Sequence, residues 1–229
     1  MPRMKRRQVR THQARAGRAR AAANRSWGGT RDRLMYAARE LLEQSGYAGA
    51  SVQAIAERTG VATGALYRHF PSKAHLFVQV FREAAKRDLA AMQAAASAGG
   101  CIERLEAVVA SFAGRALRNR RLAWALVYEP VDPLVDAERL AYRRECCRHM
   151  AALLRAGIAG GELPEQNAEL SAAAVVGAIA ESLVGPLSPI ARPTAADEDL
   201  VAALVRFCRR SVGAGDRAVL RRVARARRA

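Results

Sequence analysis

The chain has 229 residues and a formal net charge of +17, with 51% hydrophobic residues but only 5% aromatic ones. This is ample length for a packed core. The apolar fraction, weighted to Ala and Leu and free of β-branched runs between turn signals, excludes a sheet protein and predicts an all-α fold. The charge sits at the ends: residues 1–29 hold nine Lys or Arg and no acid, residues 206–229 hold nine Arg against Asp216 alone, and the stretch between is neutral overall.

Residues 1–25 are expected to form a disordered basic arm, either touching nucleic acid or simply solvated. They have no apolar run of the kind a secretory leader needs, although an acid-free Arg- and Ala-rich segment is also the composition of a mitochondrial transit peptide. A first helix is predicted from about Thr30 to Ser45, with Leu34, Ala38, Leu41 and Leu42 on one buried face. Gly46 stands where a helix ends in a left-handed residue, with Tyr47 packing back onto the last turn. Ser51 suits the cap of a short helix from Val52 to Thr59, ended by Gly60. Thr63 is expected to cap a third short helix that stops near Phe70 before Pro71, and Ser72 to cap the next. Two short helices across a Gly-containing turn form a helix-turn-helix unit.

Later helices are predicted at about 73–97, 101–119, 121–128, 134–158, 167–185 and 195–212. Their breaks are Gly99-Gly100, Pro130 with Pro133, Gly160-Gly161 with Pro164, and Pro186, Pro189 and Pro193. Thr194 and Asp197 make an Asp-variant capping box. In domain terms, 1–25 is the arm, 26–75 the helix-turn-helix head, 76–212 a larger helical body for ligand binding and dimerisation, and 213–229 a basic tail.

The stretch Ser51–Lys73, SVQAIAERTGVATGALYRHFPSK, carries the functional signal. A DNA reader brings the N-terminal residues of its second short helix to base edges, so they must be small or polar. Thr63, Gly64 and Ala65 meet that need. Leu66 and Phe70 would fix the helix to Ile55, Ala56 and Val61. Tyr67, Arg68 and His69 would then lie opposite, where a phenol, a guanidinium and an imidazole can bond phosphate, and Lys73 adds a charge at the next helix start. Each of these residues alone has a plain packing or solvation reading; it is the set at this spacing that favours DNA.

From Arg31 to Phe81 the segment resembles the DNA-binding head of the TetR family of bacterial transcription regulators, through GYAGASV, IAERTGV and GALYRHFPSK. The resemblance implies a base contact from Gln53, groove contacts from Thr63, Gly64 and Ala65, phosphate contacts from Tyr67 and His69, and a backbone anchor at Lys73. Ala74 departs from the family, which often has an acid near that cap. The resemblance also implies a homodimer through 167–185 and 195–212, formed as a four-helix bundle from two subunits. Such a dimer would bind palindromic double-stranded DNA and release it when a small-molecule effector, of unknown identity, enters the body.

Phe112, Trp124, Tyr128, Glu129, Tyr142, Arg143, Met150 and Glu181 are candidates for that effector pocket, or plain core. A buried Glu129 would need a partner, either Arg143 or a cationic ligand. The helix at 167–185, rich in Ala and Gly, is expected to be buried nearly all round, as a monomer core helix or as a dimer interface together with a stripe of Leu200, Leu204, Phe207 and Cys208. Its longest charge-free run, Leu170–Ala180, is shorter than a membrane span needs, so the expectation is a soluble cytoplasmic protein with no membrane partner. Cys101, Cys146, Cys147 and Cys208 lack metal-type spacing and read as reduced packing residues. No catalytic motif, metal or cofactor signature appears, so no enzyme is expected. The rivals are a non-specific DNA-coating protein, a helical enzyme carrying a DNA head, and an activator of the same fold.

Overall fold

The structure, a computed structural model, describes residues 29–190 and 197–214. The basic arm, the Thr194 cap and most of the basic tail lie outside these residues. The described residues form helices only: α1 (Thr30–Gly49), α2 (Val52–Thr59), α3 (Thr63–His69), α4 (Lys73–Ala95), α5 (Cys101–Arg118), α6 (Arg120–Val127), α7 (Pro133–Ala159), α8 (Ala168–Leu187) and α9 (Asp197–Ser211).

Helices α1–α3 close around Leu34, Ala38, Leu42, Ile55, Leu66 and Phe70, all buried. Their ends follow from local chemistry. The Ser51 hydroxyl accepts from the Ala54 amide at 3.1 Å, and Gly60 takes the left-handed conformation at φ 69, ψ 30. Gly46 interrupts α1 at φ 72, ψ −176, a region essentially reserved for glycine. Tyr47 packs against the head core and sets its ring edge-on to Phe77 of α4, 4.9 Å between centroids. Thr63 is not a cap: Ala62 holds that position, without a side-chain bond, and Thr63 is the first helical residue. Ser72 does cap α4, accepting from the His75 amide at 3.3 Å.

No break separates head from body. α4 runs from the head core, through Leu76 and Phe77, to Met92 in the body core. α6 packs on α1, and Ala125 and Val135 from the body complete the head core. In the body, α5, α7, α8 and α9 meet around Leu105, Val109, Leu154, Val175, Leu183 and Cys208.

Three expectations change for the late helices. First, α8 continues through Pro186 to Leu187. Second, α8 is long and apolar enough to cross a membrane by length and composition, with mean hydropathy 1.7 in its most apolar window; Glu181, counted in the sequence as a break, is one exposed carboxylate in an otherwise apolar run. Third, it is not buried all round. Ala172, Val175, Ile179 and Leu183 face the core, whereas Leu170, Ala173 and Ala174 are exposed. The α9 stripe divides likewise: Leu204 and Cys208 are buried, and Phe207 is 55% exposed.

Candidate functional site

Three cross-links set the pitch of the helix-turn-helix. Arg33 of α1 donates to the Thr59 carbonyl at 2.6 Å, taking up the C-terminal end of α2. Arg58 of α2 reaches back to α1, to Glu40 at 3.2 Å and Gln44 at 2.9 Å. The buried Thr59 hydroxyl spends itself on the Ile55 and Ala56 carbonyls at 2.9 and 3.0 Å. α2 is therefore tied to α1 at its own end, and the turn Gly60–Ala62 delivers α3 in a fixed direction.

α3 then splits into two faces. Ala65, Leu66 and the following Phe70 are buried, while Thr63, Gly64, Tyr67, Arg68 and His69 are exposed. Tyr67 is 53% exposed although it is a large aromatic. Among the described residues, Thr63, Tyr67, Arg68 and His69 make no side-chain hydrogen bond or ion pair, so their donors and acceptors are unspent. Gln53 stands exposed on α2, its amide resting on Glu57 at 3.0 Å. These residues make a small, polar, outward surface with a cationic end.

Two residues leave the expected contact set. Ala65 is 6% exposed, and its methyl fills the head core. Lys73 turns inward: its ammonium donates to the Tyr47 carbonyl at 2.6 Å and sits 4.2 Å over the Tyr47 ring and 5.7 Å from the Phe77 ring. Burial pulls its pKa below the usual lysine value, with Glu129 acting the other way. Lys73 thus fixes the α1–α2 link to the start of α4 and is not free for an outside partner as the α3 side chains are. The sequence could not show this, since a lysine beside a helix start reads as solvated unless the carbonyl it meets is known.

Behind the head lies a cavity of about 610 Å³ between α4, α5, α6, α7 and α8. It brings together five of the eight expected pocket residues: Phe112, Tyr128, Tyr142, Arg143 and Met150. Trp124, Glu129 and Glu181 are not in its wall. Trp124 stacks at a tilt on Tyr128, 5.3 Å between centroids, and Glu181 is exposed on α8. Glu129 points the other way, into the head–body seam, where one of its oxygens is buried without a hydrogen-bond partner. A Cβ on Gly46 would stand 2.3 Å from its other oxygen. Glu129 pairs with neither Arg143 nor a cavity ligand, because α6 ends at Val127 and the chain has already turned toward α1.

Tyr128 donates its hydroxyl to the Ala180 carbonyl, closing the cavity between α6 and α8. Tyr142 stands edge-on to Phe81, 6.1 Å between centroids, with its hydroxyl buried and without an oxygen or nitrogen partner. Asp88 of α4 pairs with Arg115 of α5, and burial pushes its carboxyl pKa up while Arg115 opposes that shift. Asp88, Arg115, Arg118 and Arg139 are wall residues that sequence reasoning missed. On an amphipathic helix a border arginine looks the same whether it meets water or a cavity.

Residues 34–80, from the first buried turn of α1 to the middle of α4, match the model described as bacterial regulatory proteins, tetR family. The whole fold, head and body together, aligns with a TetR/AcrR-family regulator from Thermobifida fusca at 25% identity and a TM-score of 0.62, covering 78% of this chain and 95% of the other. The match places the head, residues 34–80, in the TetR family. The HTH-type transcriptional repressor KstR of Mycolicibacterium smegmatis is 36% identical over 97 residues, 42% of this chain and 48% of that protein. The chain thus spans about half the length of the curated relatives it matches. FadR from Bacillus subtilis, a transcriptional regulator solved in complex with stearoyl-CoA, has the same fold at 21% identity and a TM-score of 0.65, covering 80% of this chain and 97% of the other.

Proposed function

We propose that this chain is a sequence-specific DNA-binding regulator of the TetR family, a homodimeric repressor released from its operator by a small molecule. One observation carries the reading: α3 exposes Thr63, Gly64, Tyr67, Arg68 and His69 on a single outward face while Ala65, Leu66 and Phe70 root it in the head. Gln53 and Thr63 read bases in the major groove, and Tyr67, Arg68 and His69 bond phosphates. The repressor name of KstR and the ligand in FadR support the remaining parts of the reading. Acting on chromosomal DNA, the protein works in the cytoplasm.

The dimer forms through the open faces of α8 and α9. Leu170 is 68% exposed and Phe207 55%, and a Cβ added at Gly177 or Gly185 would meet nothing within 4 Å. An apolar face of small residues lets a second copy approach closely. Two-fold symmetry then sets the two recognition helices about 34–36 Å apart, to match a palindrome. An effector in the cavity lies between α4 and α6, both of which also pack in the head. It shifts the dimer from the DNA-competent state only as far as it binds the other state more tightly, typically by about 1–3 kcal/mol.

The test is selection of bound duplexes from a random pool, followed by titration against selected and random DNA. The expected outcome is a two-fold symmetric site bound about a thousandfold or more tighter than random sequence. Equal affinity for both would replace the reading with that of a non-specific DNA-coating protein.

A further inference from the structure

We infer that the ligand of the cavity is an anionic amphiphile: an apolar body ending in a carboxylate or phosphate head, the head held by Arg118 and Arg143. This rests on the regulator reading only in calling the cavity an effector site. The floor of the cavity is apolar, with Met92, Val108, Met150, Ile179, Leu183 and Leu187 all buried in its wall. Its charged groups are unbalanced. Arg39, Arg115, Arg118, Arg139 and Arg143 line it, against Asp88 and Asp136 alone.

Each of those acids is already spent. Asp88 pairs with Arg115 and Asp136 lies 3.6 Å from Arg139, which also donates to the Ala125 and Leu126 carbonyls at 2.7 Å each. Arg39 pairs with Glu43 at 3.1 Å. Among the described residues, Arg118 and Arg143 make no ion pair, and both are exposed. Glu181 approaches the same Tyr128 that Arg143 does, but it is not in the cavity wall. The unspent charge is therefore positive and at the rim, while the floor is hydrocarbon. A neutral lipid would leave both guanidiniums without a counter-ion, and a cation would meet only carboxylates already taken. A guanidinium gives a carboxylate or phosphate a planar, bidentate, charge-assisted contact. The Tyr142 hydroxyl, buried in the wall without an oxygen or nitrogen partner, offers the head or its first polar atoms a further donor.

Calorimetry on the full chain, below micelle-forming concentrations, with dodecanoate, dodecyl phosphate, dodecanol and dodecyltrimethylammonium, tests this. One or both anions are expected to bind about ten- to a hundredfold tighter than the alcohol, and the trimethylammonium not to bind. The tighter of the two anions names the head group. In the double variant Arg118→Gln/Arg143→Gln the alcohol is expected to bind as before and the anions to fall to its level. An alcohol or cation that binds the native chain as tightly as either anion overturns the inference, as does a double variant that keeps the anion preference. DNA binding is read on the same preparation without amphiphile. A chain indifferent to DNA then sinks the regulator reading while the calorimetric ranking still decides the ligand class.

Discussion

At the scale of single residues, the proposed DNA face and the cavity differ in what is already satisfied. Tyr67 has an exposed ring and an unspent hydroxyl. Its replacement in Tyr67→Phe should weaken binding to every duplex by a similar factor, about two- to tenfold, because a phosphate contact carries no sequence information. Fluorescence anisotropy on operator and random DNA measures this, and a loss confined to the operator would assign Tyr67 to a base instead. Buried thiols make a second prediction. Burial raises the pKa of Cys146 and Cys208 from 9.0 to about 11. Between those values the unfolded chain releases protons that the folded chain keeps, so this contribution is complete below pH 9 and is lost as pH rises to about 11. Lys73, whose pKa is lowered, acts in the opposite sense. In thermal melts from pH 8 to 11, Cys208→Ala should lose stability less steeply with pH than the native chain. An equally steep decline would mean that the thiol does not contribute to it.

At the scale of elements, the head was legible because its signals are local. Ser51, Gly60 and Ser72 each act within one turn of their own helix, and all three do what their chemistry suggests. Thr63 failed as a cap for a related reason: one residue of register separates a cap from a first helical position, and periodicity alone does not resolve it. Gly46 matters twice, through its positive φ and through the approach of Glu129. Gly46→Ala should therefore destabilise the fold by about 1–3 kcal/mol from the backbone conformation alone. Calorimetric unfolding checks this. Adding Glu129→Ala should restore only the part due to the clash, and full recovery would show that the backbone term is negligible. The seam between α1 and the residues after α6 had no sequence signal, since Gly46 and Glu129 are far apart in the chain.

At the scale of the whole molecule, α8 and α9 leave an apolar face open while their other faces close the body core. Phe207→Arg puts a charge on that face without touching the core. If this face joins two copies as proposed, light scattering should report dimers for the native chain and monomers for the variant at the same concentration. Affinity for a palindromic operator should fall about tenfold or more, because one head contacts only a half-site. A variant that stays dimeric would move the interface elsewhere. The continuous α4 and the α1–α6 packing join head and body, so cavity occupancy and head stability should change together.

The sequence by itself determined the all-helical class, the helix-turn-helix and the outward residues of α3, because caps, turns and a 3.6-residue apolar period act over a few residues. It also named most of the cavity's aromatic wall. Only the tertiary structure decided which way Lys73, Ala65 and Glu129 face, which arginines of the cavity are already paired, and which side of α8 is open. Those outcomes depend on atoms brought in from distant segments, and a local pattern cannot distinguish a guanidinium that meets water from one that meets a carboxylate.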